Sequence, residues 1–299
     1  MNEQDIRTLD DQFCAQLIPH VSAHANKYSR GTLGVVGGCA QYPGAPILAS
    51  MAAARSGAGY VRLVAPNDAA QSARSHLVSI PVSACIQNEE GCFCARSFEQ
   101  VRDALKKSGA LLVGPGMGTS HDVASFLEVL LSCPGFQDRP LVCDADALNI
   151  IAAQPDMFTG VCRAECVLTP HEGEAARLLG RPLISRYEDA RELASMFNAT
   201  VVLKGPETLI VAADGRTNVM NSGGPELAKA GTGDVLAGII AALLAQGLDA
   251  LDAASLGTQI HANAGKLALG KLGIHAVMPE DIISYIGPAF LTMEANQDS

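Results

Sequence analysis

The most regular pattern of apolar and polar positions lies in residues 235–244. Apolar pairs recur there every four residues, first at Val235 and Leu236, then at 239–240 and 243–244. This spacing predicts a helix with one strongly apolar face. The helix would begin beside a glycine-rich turn and would pack its apolar face into the core.

Along the rest of the chain, short apolar runs alternate with helical patterns. The predicted strands cover residues 34–38, 60–64, 78–84, 110–113, 141–143, 166–168, 201–204, 208–211 and 216–220. The other predicted helices cover residues 45–56, 68–76, 97–107, 122–131, 147–153, 172–179, 187–197, 253–269 and 279–286. Unbroken apolar strands separated by helices are typical of an α/β fold whose mostly parallel sheet has helices on both faces. The last strands are joined by short turns, which predicts antiparallel strands at one edge.

The domain organisation predicted from this pattern is simple. Residues 1–30 form an irregular lead-in with at most one short helix, residues 31–290 form a single domain, and residues 291–299 form a tail. No apolar run approaches the roughly 20 residues of a membrane span. The N-terminus has neither a basic region nor an apolar region of a signal peptide, so we expect a cytoplasmic protein.

Composition narrows the possible partners. The chain of 299 residues has a formal net charge of −10, which argues against broad binding to nucleic acid or to anionic membranes. Its nine cysteines are scattered, and the close pairs Cys92/Cys94 and Cys162/Cys166 lack the spacing of a zinc site. We therefore expect buried free thiols in a reducing compartment.

The segment Ala-Gly-Thr-Gly-Asp at residues 230–234 is the first candidate for chemistry. Gly231 and Gly233 allow a tight turn and leave the first N–H groups of the next helix uncovered, which favours a phosphate or an oxyanion. Asp234 could accept the proton of an attacking hydroxyl. The alternative is that Asp234 only caps the helix, and this segment alone leaves both interpretations open.

Other polar residues follow predicted strands, at the edge where parallel α/β sheets bind ligands. They include Asp144 and Asp146 after one strand, His171 and Glu174 after the next, and Lys204 after a third. Taken singly, each has an ordinary structural explanation as a cap or a solvated side chain. The chain has no P-loop, and no GxGxxG opens a first βα unit, so neither common nucleotide motif is present.

Together, these motifs resemble a known family. They are residues 229–238 (KAGTGDVLAG), 167–174 (VLTPHEGE), 141–148 (LVCDADAL), 43–45 (PGA) and 202–205 (VLKG). Over roughly residues 25–290 the chain resembles the ADP/ATP-dependent NAD(P)H-hydrate dehydratases of the ribokinase-like superfamily. The resemblance implies a ribokinase-like fold. It also implies a repair reaction in which ADP or ATP phosphorylates hydrated NADH or NADPH, and loss of phosphate restores the nicotinamide ring.

The resemblance also implies roles for individual residues. Asp234 would be the base, with Gly231 and Gly233 forming the anion hole. The hydrated dinucleotide would contact Ala45, Gly118, His171 and Asp234, and the nucleotide would contact Lys204, Gly205, Pro206, Glu207, Thr208 and Gly233. Glu174 would act on Mg²⁺, through water. ADP is favoured over ATP as the donor, whereas the choice between hydrated NADH and hydrated NADPH stays open.

The chain departs from the family at one point and leaves competing functions open. Gly224 stands where many relatives have Asn, and only about 30 residues precede the first predicted strand, so we expect no epimerase activity. One alternative is a kinase of a small hydroxymethyl vitamin precursor, although His171 in place of the kinases' Asn favours the dehydratases. Another is a non-catalytic nucleotide sensor. The family's tendency and the alanine-rich helix at 45–56 suggest a homo-oligomer, with a tetramer as the family form.

Overall fold

A single β-sheet organises the molecule, whose computed structural model describes residues 6–159 and 165–295. The strands in this part of the chain are β1 (Ile6–Thr8), β2 (Thr32–Val36), β3 (Tyr60–Pro66), β4 (Val82–Cys85), β5 (Ala110–Val113), β6 (Leu141–Cys143), β7 (Cys166–Leu168), β8 (Thr200–Leu203), β9 (Thr208–Val211) and β10 (Thr217–Met220). Their spatial order is β1-β10-β9-β8-β7-β6-β5-β2-β3-β4.

Helices fill the connections between the strands. They are α1 (Asp11–Ala15), α2 (Gly44–Arg55), α3 (Asn67–Arg74), α4 (Phe98–Leu105), α5 (His121–Ser132), α6 (Pro134–Gln137), α7 (Asp146–Ala153), α8 (Asp156–Thr159), α9 (Glu172–Leu179), α10 (Arg186–Phe197), α11 (Thr232–Ala245), α12 (Ala250–Leu272) and α13 (Pro279–Ala295). Within the described ranges, no helix combines the length and the apolar character needed to cross a membrane.

The strand directions confirm the predicted sheet. From β8 to β4 each neighbouring pair is parallel, whereas β9 pairs antiparallel with both β8 and β10. β1 then adds to the outside of β10 in parallel. The antiparallel pairs therefore lie towards one edge, as the short turns around residues 205–207 predict.

Helices bury both faces of this sheet, and the alternation of side chains along β5 illustrates why. Ala110 and Leu112 point into a core shared with α1–α3 and α11–α13. Leu111 and Val113 point into a second core shared with α4–α10. Because successive side chains on a strand face opposite sides, an unbroken apolar run is needed to serve two cores. The predicted layer arrangement is confirmed.

Helix α11 is buried on nearly all sides, although the four-residue spacing predicts a single apolar face. Glycine allows the close packing. A Cβ at Gly238 would lie 2.2 Å from the carbonyl oxygen of Ala49 in α2, and a Cβ at Gly257 in α12 would lie 2.7 Å from Ile240. Helices on either side thus fix α11, and its N-terminus is held at the edge of the sheet where β5, β6, β7 and β8 end.

Several predicted bounds differ from the structure. The lead-in is not wholly irregular, because β1 pairs with β10 and Asp10 caps α1 through a 2.7 Å bond from the Phe13 N–H. The strand predicted at 78–84 is confined to Val82–Cys85, and Val78 is fully exposed. Helix α13 continues to Ala295, past the predicted end at 286, because Ala289 and Met293 are buried against the core.

Candidate functional site

The N-terminus of α11 has the open geometry that the glycine-rich segment predicts. Gly231 is the N-cap residue, with a φ of 96° in the left-handed region, and no side chain forms a cap hydrogen bond there. Asp234 lies inside the first turn of α11 and does not cap it. The interpretation of Asp234 as a simple helix cap is therefore wrong. The uncovered N–H groups of this turn, with the helix dipole, favour an anion.

Asp234 has an unusual protonation behaviour for an aspartate. Its pKa is raised from 3.8 to about 7, chiefly by burial; the charges of Asp144, Asp146 and Glu174 contribute to this rise, and Lys204 opposes it. A carboxylate with a pKa near 7 is half-ionised at neutral pH and can accept a proton from a substrate. This is the protonation behaviour expected of a general base.

Lys204 is the cation at the centre of this group of carboxylates. Its Nζ donates a 3.0 Å bond to Oδ1 of Asp144 and lies 3.9 Å from Oε2 of Glu174. Burial alone would lower the pKa of Lys204, but the two carboxylates outweigh it and raise the pKa. Asp144 is only 2% exposed and also accepts a 2.7 Å bond from the hydroxyl of Thr169. Lys204 therefore stays charged and fixed beside Asp234.

His171 and Glu174 cap α9 reciprocally. Nδ1 of His171 accepts bonds from the N–H groups of Gly173 and Glu174, at 3.0 Å and 3.3 Å. In return, Oε2 of Glu174 accepts a 2.8 Å bond from the His171 N–H. An accepting Nδ1 requires a neutral ring, and burial together with Lys204 and Arg177 lowers the pKa of His171. The proton then resides on Nε2, on a side chain that is half-exposed.

The described residues offer Mg²⁺ few direct ligands. Among residues 6–159 and 165–295, no group of three or more His, Cys, Asp and Glu side chains could hold a metal ion. Glu174 is buried, and it already accepts the His171 N–H and faces Lys204. Mg²⁺ commonly keeps several waters and binds through one or two carboxylates together with substrate phosphates. Glu174 suits that kind of contact, through water.

A cavity of about 670 Å³ opens beside Lys204 and the start of α11. It is lined by His171, Lys204, Gly205, Pro206, Thr208, Met220, Gly223, Gly224, Pro225, Leu227, Ala228, Thr232, Gly233, Leu236, Thr258 and His261. Most of these residues are apolar, and His171 and Lys204 are among the polar ones. Pockets of this size and composition hold nucleotide-sized ligands. Of the residues predicted to bind the nucleotide, Glu207 is the one that does not line the cavity.

The other predicted contacts, Ala45 and Gly118, lie in a second region. The N–H of Gly118 donates a 2.9 Å bond to Oδ2 of Asp146. A Cβ at Gly116, whose φ is 61°, would lie 3.1 Å from Cβ of Ala45, so the glycine turn packs against the start of α2. Asp146 lines a neighbouring cavity of about 590 Å³ with Arg177. The charge of Asp146 also raises the pKa of Asp234, so the two regions are coupled electrostatically.

The strand end between Asp144 and Asp146 is strained. Ala145 has a φ of 53°, in a region that residues with a side chain seldom adopt. The carbonyl of Asp144 approaches Gly114 so closely that a Cβ there would lie 1.9 Å from the oxygen. Strain of this kind persists where the surrounding structure imposes it, often at functional sites. Here it turns Asp144 towards Lys204 and Asp146 towards Gly118.

The structure gives a physical reason for glycine at position 224, where many members of the family have asparagine. Its N–H donates a 3.1 Å bond to Oε1 of Glu226, a carboxylate that is 2% exposed. A Cβ at position 224 would lie 2.4 Å from Oε2 of the same side chain. An asparagine could not occupy this position unless Glu226 moved, so Glu226 takes the space that a longer side chain would need.

Two side chains near the cavity were missed by sequence reasoning. His261 in α12 is 5% exposed, and burial lowers its pKa to about 4 although a hydrogen bond to the Thr232 backbone opposes that shift. Arg186, at the start of α10, donates to the carbonyl of Glu207 at 2.6 Å. Neither belongs to a recognisable motif. Only the fold brings α10 and α12 to this edge.

The thiols agree with the composition. Cys92 and Cys94 are buried free cysteines, and Cys14, Cys39 and Cys85 are buried and free as well. Burial raises the pKa of Cys14 and of Cys85 to about 12, so these thiols are unreactive at neutral pH. Of the second close pair, Cys162 lies outside the described residues.

Comparisons with known proteins agree with this site. The family model described as NAD(P)H-hydrate dehydratase matches residues 33–288. An ADP-dependent (S)-NAD(P)H-hydrate dehydratase of Neisseria meningitidis is 37% identical over 271 residues, covering 86% of this chain and 85% of that protein. Other curated relatives are bifunctional NAD(P)H-hydrate repair enzymes, and the chain spans about half their length.

Solved structures share the fold. A ribokinase-like superfamily protein of Enterococcus faecalis superposes with a TM-score of 0.84 at 22% identity, covering 98% of both chains, and this likeness concerns the fold alone. An ADP/ATP-dependent NAD(P)H-hydrate dehydratase of Bacillus subtilis, co-crystallised with ATP and Mg²⁺, superposes with a TM-score of 0.81 at 25% identity. It covers 97% of this chain and 99% of that one. The ribokinase-like fold expected from the motifs is confirmed.

Proposed function

This chain belongs to the NAD(P)H-hydrate dehydratase family, and we propose that it restores NADH or NADPH from their hydrated forms in a nucleotide-dependent reaction. One observation carries the proposal. A half-buried carboxylate with a pKa of about 7, Asp234, lies within an uncovered helix N-terminus beside a nucleotide-sized cavity. Such a site pairs a proton acceptor with an anion hole, as phosphoryl transfer requires.

In the first proposed step, Asp234 accepts the proton of the hydroxyl on the hydrated nicotinamide ring. The hydroxyl oxygen attacks the terminal phosphorus of the nucleotide, and the bond from that phosphorus to the bridging oxygen breaks. The N–H groups at the start of α11 stabilise the charge on the moving phosphoryl group. Lys204 adds a positive charge at the same place, and its bond to Asp144 keeps the ammonium in position.

In the second proposed step, the phosphorylated carbon loses phosphate while the neighbouring carbon loses a proton to the departing phosphate. The pair of electrons from that C–H bond forms the ring double bond, which regenerates the reduced nicotinamide. Phosphate leaves more readily than hydroxide, which explains why a nucleotide is consumed. When bound, Mg²⁺ would supply charge for the phosphates, with Glu174 reaching it through water.

The assignment of residues to the two substrates is part of the proposal. Ala45, Gly118, His171 and Asp234 contact the hydrated dinucleotide, while residues 204–208 and Gly233 contact the nucleotide. His171 lines the 670 Å³ cavity with Lys204, so it stands between the two substrates. We propose ADP as the donor because the relative from Neisseria meningitidis is named as ADP-dependent.

We further propose that the protein acts in the cytoplasm as a homo-oligomer, possessing the tetrameric form expected from the family. Buried free thiols at Cys14, Cys39 and Cys85 suit a reducing compartment. Light scattering after size exclusion measures the assembly directly, and a monomer at micromolar concentration would contradict the tetramer.

The test of the function is an absorbance measurement at the reduced-nicotinamide band. The protein is mixed with Mg²⁺ and hydrated NADPH, then with ADP or, separately, ATP. Growth of the band with release of phosphate is the expected result, and the more effective nucleotide is the donor. If folded protein binds nucleotide but produces no reduced nicotinamide, the dehydratase proposal is wrong. A stable phosphate ester formed from a hydroxymethyl compound would then favour a vitamin-type kinase.

A further inference from the structure

We propose that Arg186 is a positioning residue that holds residues 204–208, which we call the nucleotide loop, in their binding conformation. The inference rests on the proposed function, because it takes this loop to contact the nucleotide. Arg186 belongs to none of the sequence motifs. Its guanidinium nevertheless joins three separate elements of the site: the loop, α9 and α10.

Two hydrogen bonds join the Arg186 guanidinium to the backbone at the ends of the loop. Nη2 donates to the carbonyl oxygen of Glu207 at 2.6 Å and to that of Leu203 at 3.3 Å. Leu203 ends β8, and Glu207 directly precedes β9. One guanidinium therefore holds both ends of the turn that joins these strands. A planar group with five N–H donors is suited to such multiple bonding.

Besides Arg186, the side chain of Lys204 holds the first residue of the loop through its 3.0 Å bond to Asp144. The Lys204 N–H donates to the carbonyl of Pro170 at 2.9 Å, and the Thr208 hydroxyl donates to the carbonyl of Gly205 at 3.2 Å. Burial and the nearby Glu207 carboxylate raise the pKa of Tyr187, the residue next to Arg186. Lys204 thus holds the first residue of the loop, and Arg186, at the start of α10, bonds to the carbonyls at both of its ends.

Gly205 shows how closely the guanidinium approaches. A Cβ at this position would lie 2.6 Å from Nη2 and 2.8 Å from Nη1 of Arg186. These distances are too short for real atoms, so a side chain at 205 would displace the guanidinium. The absence of a side chain at Gly205 and the position of Arg186 therefore depend on each other.

The remaining bond connects the loop to α9. Nη1 of Arg186 forms an ion pair with Oε1 of Glu172, the residue that follows His171. Glu172 lies in the first turn of α9, where His171 and Glu174 form the reciprocal cap. Through Arg186, the nucleotide loop and the start of α9 are held at a fixed separation.

The experiment measures ADP binding by titration calorimetry in the presence of Mg²⁺, on the full chain. Arg186→Ala is expected to weaken ADP binding by about 10- to 100-fold, as losses of supporting bonds typically do. The matched control is Arg181→Ala. Arg181 also anchors α10, through Asp189 at 2.7 Å and through Glu192, but has no bond to the loop. It should leave ADP affinity within about twofold of wild type.

Two readouts separate positioning from a general loss of structure. Hydrogen exchange of the peptide containing residues 204–208 should accelerate in Arg186→Ala and stay unchanged in Arg181→Ala. In steady state, KM for the nucleotide should rise about 10-fold or more while KM for hydrated NADPH stays within about twofold. Both effects should persist at temperatures well below the melting point of each variant.

Gly205→Ala provides an independent variant of the same contact. It should weaken ADP binding to a similar degree, because the new Cβ displaces the guanidinium. The double variant Gly205→Ala/Arg186→Ala should bind ADP no more than about twofold more weakly than the weaker-binding single variant. The reason is that both substitutions remove the same interaction.

The outcomes are distinct. Equal ADP affinity in wild type and Arg186→Ala, or equal losses in Arg186→Ala and Arg181→Ala, would overturn the positioning role and leave the proposed function standing. A double variant in which the two losses multiply would overturn the interdependence of Gly205 and Arg186. Wild-type protein that binds no ADP or ATP would overturn both the proposed function and this inference.

Discussion

The starts of α10 and α11 each contain an aspartate in the first turn, yet the two carboxylates behave in opposite ways. Asp189 in α10 accepts bonds from Nη1 of Arg181 at 2.7 Å, from the Ile184 N–H at 2.7 Å and from the Ser185 N–H at 2.9 Å. Burial would raise the pKa of Asp189, but these donors outweigh it and lower the pKa. For Asp234, burial prevails and the pKa rises to about 7.

The difference lies in hydrogen-bond donors, since both carboxylates are near a helix N-terminus. Within residues 6–159 and 165–295, no hydrogen bond reaches the Asp234 side chain, and its charged neighbours include Asp144 and Asp146. A satisfied carboxylate stabilises the fold, whereas an unsatisfied one costs stability and remains basic enough to accept a proton. The comparison predicts that replacing Asp234 will abolish turnover without loss of stability, whereas replacing Asp189 will lower stability and leave turnover nearly unchanged.

The largest expected effect is on turnover. Asp234→Asn should lower kcat by about 1,000-fold or more, because the amide cannot accept the substrate proton. ADP binding should remain within about threefold of wild type, since the anion hole consists of backbone N–H groups. Turnover of hydrated NADPH and calorimetric titration with ADP provide the two measurements.

Asp189→Asn is the matched control for that experiment. It changes another aspartate in the first turn of a helix, outside the cavity, so kcat should stay within about twofold of wild type. Substantial turnover by Asp234→Asn, or an equal loss in both variants, would remove Asp234 from the role of base.

The second prediction concerns stability, which Asp189→Asn should lower and Asp234→Asn should raise. Asp189→Asn should lower the free energy of unfolding by about 2–3 kcal/mol, because the amide keeps only one acceptor oxygen and carries no charge to pair with Arg181. Asp234→Asn should raise it by about 1 kcal/mol, as relief of an unsatisfied active-site charge commonly does. Urea unfolding at neutral pH measures both changes.

Linkage fixes the pH dependence of these differences. The pKa of folded Asp189 lies below its unfolded value, so its contribution is present above that value, near 3.8, and is lost as the pH falls. The pKa of folded Asp234 lies above its unfolded value, so the advantage of Asp234→Asn should grow between pH 3.8 and about 7 and then level off. An advantage that shrinks over this interval would contradict the raised pKa.

The third prediction uses the pH dependence of turnover. In wild type, kcat/KM should rise tenfold per pH unit below about 7 and level off above it, because Asp234 must be ionised to accept a proton. Asp144→Asn should move the midpoint to lower pH by roughly one unit, since the charge of Asp144 raises the pKa of Asp234.

Lys204→Met should move the same midpoint in the opposite direction, because Lys204 lowers the pKa of Asp234. This variant should also bind ADP more weakly, so the midpoint is measured at saturating nucleotide. Shifts of the same sign in Asp144→Asn and Lys204→Met would mean that another group determines the profile.

The sequence could predict α11 and Asp234 but not the protonation behaviour of that aspartate. The four-residue apolar spacing is local, and so is the glycine turn at Gly231. The raised pKa depends on burial and on Asp144 and Asp146, which only the folded sheet brings near α11. Strand β1 escaped prediction for a similar reason, because its three exposed residues form a strand only by pairing with β10.

Residues that position the site, such as Arg186, were harder to predict from the sequence than the motif residues expected to contact substrates. Motif residues such as His171 and Lys204 follow strands, so the rule for parallel sheets brings them to one edge. Arg186 lies in an ordinary amphipathic helix, and its value depends on the path of the β8–β9 turn. Its only sequence signal is Gly205, a glycine whose φ is not in the left-handed region and which is needed for space alone.

The smallest expected effect concerns the start of α9. There His171 caps the helix and is also expected to bind a substrate. His171 caps the helix through Nδ1 and also lines the 670 Å³ cavity, while its Nε2 lies 3.5 Å from Oε1 of Glu174. His171→Ala should lower the free energy of unfolding by about 1 kcal/mol through loss of the cap. His171→Asn should lower it by only a few tenths, about 0.3 kcal/mol, because asparagine is itself a favourable N-cap residue.

If the Nε2 group binds the hydrated dinucleotide, however, both variants should weaken it, by about 3- to 10-fold in KM, and should weaken ADP less. Asparagine therefore separates capping from binding at a single position. A His171→Asn variant with normal KM for hydrated NADPH would assign His171 to the cap alone. A larger loss for ADP than for hydrated NADPH would instead place His171 in the nucleotide subsite, where its position beside Lys204 in the 670 Å³ cavity would put it.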